Sequence, residues 1–244
     1  MRFNGVDIRS VDPTLSVAKE IYPGMARREV ITVSGNRGET LAGIAEERAE
    51  AIVRVNIGAR TREQAYKARA LLAKWASASG DKLGTLEPTY WPGMAYDAIV
   101  EEISDPEFVF GHATVEITFA LPRPYAYSLR AGYAKGEGTA AMNVGGSAKA
   151  RPVISQKTAA EAPGLTWYAD GKPFLKLRDE YTVPAGATVK ADFTQGFLTV
   201  DGVHEEAQID YQNTTWQPEL TPGMHTIAST DAGKIEARWH DEWI

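Results

Sequence analysis

The chain has 244 residues, 43% of them hydrophobic, and a net charge of −6, which leaves room for two globular domains and excludes a disordered chain. It has no cysteine, so disulfides, thiolate metal sites and cysteine nucleophiles are excluded, and neither half carries the positive excess expected of a nucleic-acid binder. No apolar run approaches the ~20 residues of a membrane helix, and Met1–Asp7 lacks the apolar stretch of a secretion signal.

In chain order, Phe3 to Ile8 reads as a short strand turning at Asn4-Gly5, and Asp12-Pro13 is a turn. Val30–Val33 is β-branched and predicts a strand that ends in the turn chemistry of Ser34-Gly35-Asn36-Arg37-Gly38. Leu41 to Ala49 fits either a helical turn or the return arm of a long hairpin. Ala51, Val53, Val55 and Ile57 alternate with Ile52, Arg54 and Asn56, the period of a half-buried strand. The one convincing helix runs from Thr61 to Ser79. Thr61 caps it, Gln64 stands where a capping box needs it, and Gly80 supplies the left-handed stop. Ala65, Ala68, Leu72 and Trp75 form its apolar face, flanked by Arg60, Arg62, Lys67, Arg69 and Lys74.

Asp81 to Gly84 turns out of the helix, and Tyr96–Ile103 reads as a strand. Phe108-Val109-Phe110 then leads to the clearest strand of the chain. There Val115, Ile117, Phe119 and Leu121 fall on one side, and Thr114, Glu116, Thr118 and Ala120 on the other. Pro122 and Pro124 stop it, because proline cannot donate to a sheet ladder, and the X-Pro steps hold the exit extended. The fold class is therefore α+β to mostly β. Residues 1–127 form an antiparallel β-sandwich or split barrel with one helix and a long hairpin. Residues 128–138, with three glycines, read as a linker, and Pro122 and Pro124 as a stiff interdomain hinge. Residues 139–244 carry short apolar runs at Arg151–Gln156, Leu165–Tyr168, Phe174–Leu177, Thr188–Phe193, Phe197–Val203, Met224–Ile227 and Ile235–Trp239. Turns at about 8–12-residue spacing separate them, the pattern of a β-sandwich.

The search for catalytic chemistry is mostly negative. Gly136-Glu137-Gly138-Thr139-Ala140-Ala141 imitates a dinucleotide fingerprint but neither follows a core strand nor opens a helix. Asp97, Glu101, Glu102, Asp105 and Glu107 cluster without the spacing of a calcium loop and read as a solvated edge. His112, His204, His225 and His240 fall in separate strands or turns, which makes surface or edge histidine the default reading. Trp167, Tyr168, Trp216, Trp239 and Trp243 offer rings that could stack on sugar, against the plainer reading that Trp167 and Trp239 are core. A carbohydrate-binding module is accordingly an alternative function, and a glycan-processing enzyme using carboxylates in 97–107 or 201–210 a further one.

Several segments resemble the distal tail protein (Dit) family of long-tailed bacteriophages. Phe3-Asn4-Gly5-Val6-Asp7 looks like the family's opening, and Val33-Ser34-Gly35-Asn36-Arg37-Gly38 is similar to its V-x-G-x-x-G hairpin. The strand–helix unit from Ile57 to Gly80, with Leu71-Leu72-Ala73-Lys74-Trp75, resembles its central helix. Val115 to Pro122 followed by Tyr125 resembles the F-x-x-P…Y close of the first domain. Asn143-Val144-Gly145 with Pro152-Val153-Ile154 looks like the opening of the second domain, and Trp216 to His225 like its L-x-P-G-x-N close. The chain departs from that pattern at His225, where the family usually has Asn, and at Ala120-Leu121, where a Cys or polar residue is common.

The resemblance implies a structural virion protein rather than an enzyme, with no cofactor. Its first domain would form a homo-hexameric ring at the phage tail tip, joining the tail tube protein to the tape measure and tail-tip proteins. The channel would pass DNA without binding it. The second domain would be galectin-like and serve as a platform for receptor-binding or side-fibre proteins. The protein would be made in the host cytoplasm and reside in the virion. A ring closes by a head-to-tail interface, for which opposed charges at Arg62, Arg69, Asp97 and Glu101 are the candidates.

Overall fold

The computed structural model describes the chain except residues 24–27, 36, 37, 47, 81, 110, 217, 219 and 244, and except the side chains of 28–35, 38–46 and 79. Of the sequence readings, the turn residues Asn36, Arg37 and Asp81, together with Phe110, Gln217 and Glu219, lie outside the described residues. The chain divides into two compact units, Met1–Tyr127 and Ser128–Trp243. Both are built of antiparallel strands, and the mostly-β class expected from the sequence is what the structure shows.

The sheet of the first unit runs, in spatial order, Val6–Asp7, Arg2–Phe3, Gly84–Glu87, Met94–Ile103, His112–Leu121, Ala49–Ile57 and Leu15–Ile21. Its centre is the pairing of His112–Leu121 with Ala49–Ile57, in register from Ala113↔Ile57 to Leu121↔Ala49. The alternation in both strands puts Val53, Val55, Val115, Ile117 and Phe119 on one buried face. The helix Arg62–Ala76 covers that face with Ala65, Ala68, Leu72 and Trp75. Phe3 joins the two layers, 5.6 Å from Trp75 and 5.5 Å from Phe119, centroid to centroid.

The helix starts where its sequence signals it. The Thr61 hydroxyl accepts from the Gln64 N–H at 3.2 Å, and the Gln64 side chain reaches back to the Arg60 N–H at 2.8 Å. The helix ends in a 3₁₀ turn, Ser77–Ser79, before Gly80 at φ +57. Asn4 and Gly5 both take positive φ, as a two-residue hairpin turn requires. Arg28–Gly35 and Gly38–Glu46 pair as a long hairpin, which settles Leu41 to Glu46 as strand rather than helix.

The second unit is a β-sandwich. One sheet runs Gly132–Glu137, Lys234–Trp239, Val153–Lys157, Thr188–Asp192, Phe197–Val200, Val203–His204. The other runs Thr139–Val144, Gly223–Ser229, Thr166–Ala169, Lys172–Lys176. Between them lie Trp167, Phe174, Phe193, Leu198, Ile227 and Ile235.

The structure corrects the reading of 128–138 as a linker. Gly132–Glu137 is a strand in register with Lys234–Trp239, and Thr139–Val144, which the apolar pattern did not single out, pairs with Gly223–Ser229. The glycines mark close packing rather than slack. A Cβ on Gly132 would meet the Trp239 ring at 2.3 Å, and one on Gly136 the Thr139 carbonyl oxygen at 1.8 Å. The apparent fingerprint at Gly136–Ala141 is the corner where the chain leaves one sheet for the other, with Gly138 at φ +64.

Candidate functional site

Among the described strands of the first unit with an unpaired side are two beside the central pair. Leu15–Ile21 pairs only with Ala49–Ile57, and Glu107–Val109 only with His112–Leu121. The sheet face turned away from the helix carries mostly polar side chains in register rows. Lys19, Arg54 and Glu116 form one row, and Ser16, Asn56, Thr114 and Glu107 the next. Ile21, Ile52, Thr118 and Glu102 form a third. Cations thus stand toward the Leu15–Ile21 edge and carboxylates toward the other. Arg54 and Glu116 are bonded across strands at 3.2 Å, and both stay largely exposed.

The four candidate interface residues are spread over this unit and differ in how free they are. Arg62 is exposed on the first turn of the helix, beside Tyr66, Pro106 and Phe108 around a small cleft. Arg69 is already used within the chain: its guanidinium donates to the Ser104 and Ile103 carbonyls, each at 2.8 Å. Glu101 accepts from Arg48. Asp97 is half-buried next to Tyr127, whose hydroxyl is pushed up first by burial and then by this carboxylate. Sequence alone assigned charge to these positions but not partners. Pro122, exposed, and Pro124, buried, follow directly on the last strand residue, Leu121.

No group of three or more metal-ligating side chains occurs among the described residues, and no described helix is long and apolar enough to cross a membrane. The tryptophans Trp167 and Trp239 are 0% and 5% exposed, so they are core and not stacking platforms. Trp167 spans the sandwich instead: its indole N–H donates to Gln156 Oε1 at 2.5 Å, and Gln156 Nε2 donates to Asp231 Oδ2 at 2.9 Å. The default reading of the histidines holds for His112 and His204, which are exposed. It fails for His225, which is 9% exposed and hydrogen-bonded through both ring nitrogens. Its Asp170 partner, 55 residues away, is brought to it only by the tertiary fold.

A two-unit chain of antiparallel strands, with the helix Arg62–Ala76 on the first sheet and a sandwich after it, has the fold of the phage distal tail proteins. The solved structure of the Dit protein of phage SPP1, described as a paradigm of the hub adsorption apparatus in phages that infect Gram-positive bacteria, matches with a TM-score of 0.76. The match covers 99% of this chain and 98% of that one at 14% identity. The activated baseplate of phage P2 is more distant, with a TM-score of 0.47 in both its calcium and strontium forms and 8% and 9% identity over 94% of this chain and 91% of that one. No protein-family model and no curated protein sequence matches the chain.

Proposed function

We propose that the protein is a structural component of a phage tail tip, a hub ring built from copies of the first unit, with the second unit as a platform for other tail proteins. One observation carries this reading: the fold agrees with the SPP1 hub protein over essentially the full length of both chains. The partly open sheet of the first unit supports it. Unpaired strand edges invite association, and a closed ring hides them. Opposed charge on the two edge strands, Lys19 against Glu107, favours head-to-tail contact between copies. Arg62 stands beside the Pro106–Phe108 edge and belongs to that surface. Arg69, Glu101 and Asp97 would act through the shape they hold. A polar inward face suits a channel that DNA traverses without being bound, and the proposed partners remain tail tube, tape measure and tip proteins.

The native mass tests the reading. The purified chain should sediment at six times its 26.6 kDa, or at twice that if rings stack. A monomer at micromolar concentration defeats it. Lys19→Glu and Glu107→Lys should each shift the chain toward monomer, and the double variant should recover the ring; a ring indifferent to all three means that the interface lies elsewhere.

Pro122 and Pro124 are proposed to stiffen the passage between the units. Replacing both with glycine should leave the oligomer intact and broaden the distance distribution between the units in small-angle scattering. An unchanged distribution would remove that role.

A further inference from the structure

His225 stands at the start of the strand Gly223–Ser229, with its ring turned into the sandwich. Nδ1 lies 2.6 Å from Asp170 Oδ2, and Nε2 lies 2.5 Å from the Thr221 carbonyl oxygen. A carbonyl oxygen only accepts, and so does an ionised carboxylate. Both ring nitrogens must therefore donate, which requires the imidazolium. A neutral ring has one N–H and would set its bare nitrogen lone pair against an oxygen lone pair. One of the two bonds must then break.

We propose that His225 is a protonation-controlled latch: as imidazolium it ties the Thr221–Met224 segment to the turn at Asp170, and on losing its proton it releases that segment. The bond that gives way is the one to Thr221. Asp170 is fixed independently of the histidine, since its Oδ1 accepts from the Thr226 N–H at 2.8 Å and its own N–H donates to the Thr226 carbonyl at 2.9 Å. The Thr221 carbonyl is joined to the histidine strand across Pro222 and Gly223, the latter at φ +137, where a side chain would be strained, and Gly223 opens the pairing with Val144. The Leu220 pairing with Ala150 limits how far the release spreads. The freed segment includes Met224, which is already 68% exposed.

The charges around the ring are few. Asp170 faces it from the turn of the Thr166–Lys176 hairpin, and Lys172 on the same hairpin acts on Asp170. The adjacent strand sets Val144, Asn143 and Met142 opposite Gly223, Met224 and His225, none of them charged. Burial works against the charged ring, but the bonds to Asp170 and Thr221 outweigh it and raise the histidine above its ordinary range. Asp170 is lowered, chiefly by the bond from His225 and then by the Thr226 N–H. With a folded pKa above the unfolded one, the contribution of His225 is complete below the unfolded value of about 6.5 and is lost as pH rises through the folded value. Release therefore lies on the alkaline side.

The test is an NMR titration of the His225 ring in the full chain, with amide hydrogen exchange at Gly223, Met224 and Thr226, from about pH 6 to about pH 9. The ring should titrate above the ordinary histidine range, and protection at Gly223 and Met224, corrected for the intrinsic rate, should fall about tenfold across that titration. In His225→Gln the protection should be low throughout and independent of pH. A ring that titrates at or below the ordinary value, or protection that follows the intrinsic rate alone, overturns the latch. Should His225→Gln fail to fold, Asp170→Asn decides: the histidine titration must move to lower pH, and an unmoved titration overturns the proposal.

Discussion

Replacing Asp231 with alanine is expected to destabilise the sandwich unit more than any other single polar change. Asp231 sits in the turn that links the two sheets, 8% exposed, and its carboxylate takes N–H groups from four residues. Gln156 Nε2 donates at 2.9 Å and the Gly233 N–H at 2.7 Å, and both are buried. The N–H groups of Ala159 and Ala160 donate from the partly buried neighbouring loop. A buried donor left without an acceptor costs about 1–3 kcal/mol, and the Gly233 N–H is left so, which puts the loss at about 1–3 kcal/mol or more. Gln156 would lose one of the two bonds that fix its amide toward the Trp167 indole and keep the one to the Asp231 backbone carbonyl at 3.1 Å. Urea unfolding followed by tryptophan fluorescence checks this. A midpoint shift worth less than about 1 kcal/mol would mean that water replaces the carboxylate in full.

The second large effect is expected in the first unit. Phe119 is 0% exposed in the central strand and touches Phe3, which in turn touches Trp75 of the helix. Phe119→Ala removes the contact that joins strand, N-terminal hairpin and helix, at a cost of about 3–5 kcal/mol. The Phe3 ring has little freedom to fill the space, because it packs against Gly84, where even a Cβ would come within 2.4 Å. The variant should lose helical circular dichroism at a temperature where the native chain keeps it. Under the ring reading it should also appear as monomer or aggregate, while Phe119→Leu retains the oligomer. A Phe119→Ala chain with native melting would place the core of this unit elsewhere.

Much of the fold was legible in the residues. Period-2 alternation marked Ala51–Ile57 and Val115–Leu121, and these two strands pair directly at the centre of the sheet. Thr61, Gln64 and Gly80 marked the helix ends where the structure has them. The first two strands of the sandwich, Gly132–Glu137 and Thr139–Val144, were not legible. Most of their residues are small or polar, and Gly132 and Gly136 serve the Trp239 ring and the Thr139 carbonyl rather than a turn. Strand pairing there is decided by what lies about 100 residues away in sequence, which no local pattern records.

The candidate surface was legible in its charges and not in its bonds. Arg69 and Glu101 stood out as exposed ions, yet one is spent on backbone carbonyls and the other on Arg48. His225 looked like an edge histidine because Asp170 becomes its neighbour only when the Thr166–Ala169 and Gly223–Ser229 strands are in register. The sequence by itself determined the β class, the helix and its caps, the alternating core strands and the absence of thiol chemistry, because each depends on residues near one another along the chain. Tertiary structure alone decided which sheet edges stay open, which charges are already paired, and that one histidine is bonded to an aspartate 55 residues away, because each depends on groups that only folding brings within hydrogen-bond reach.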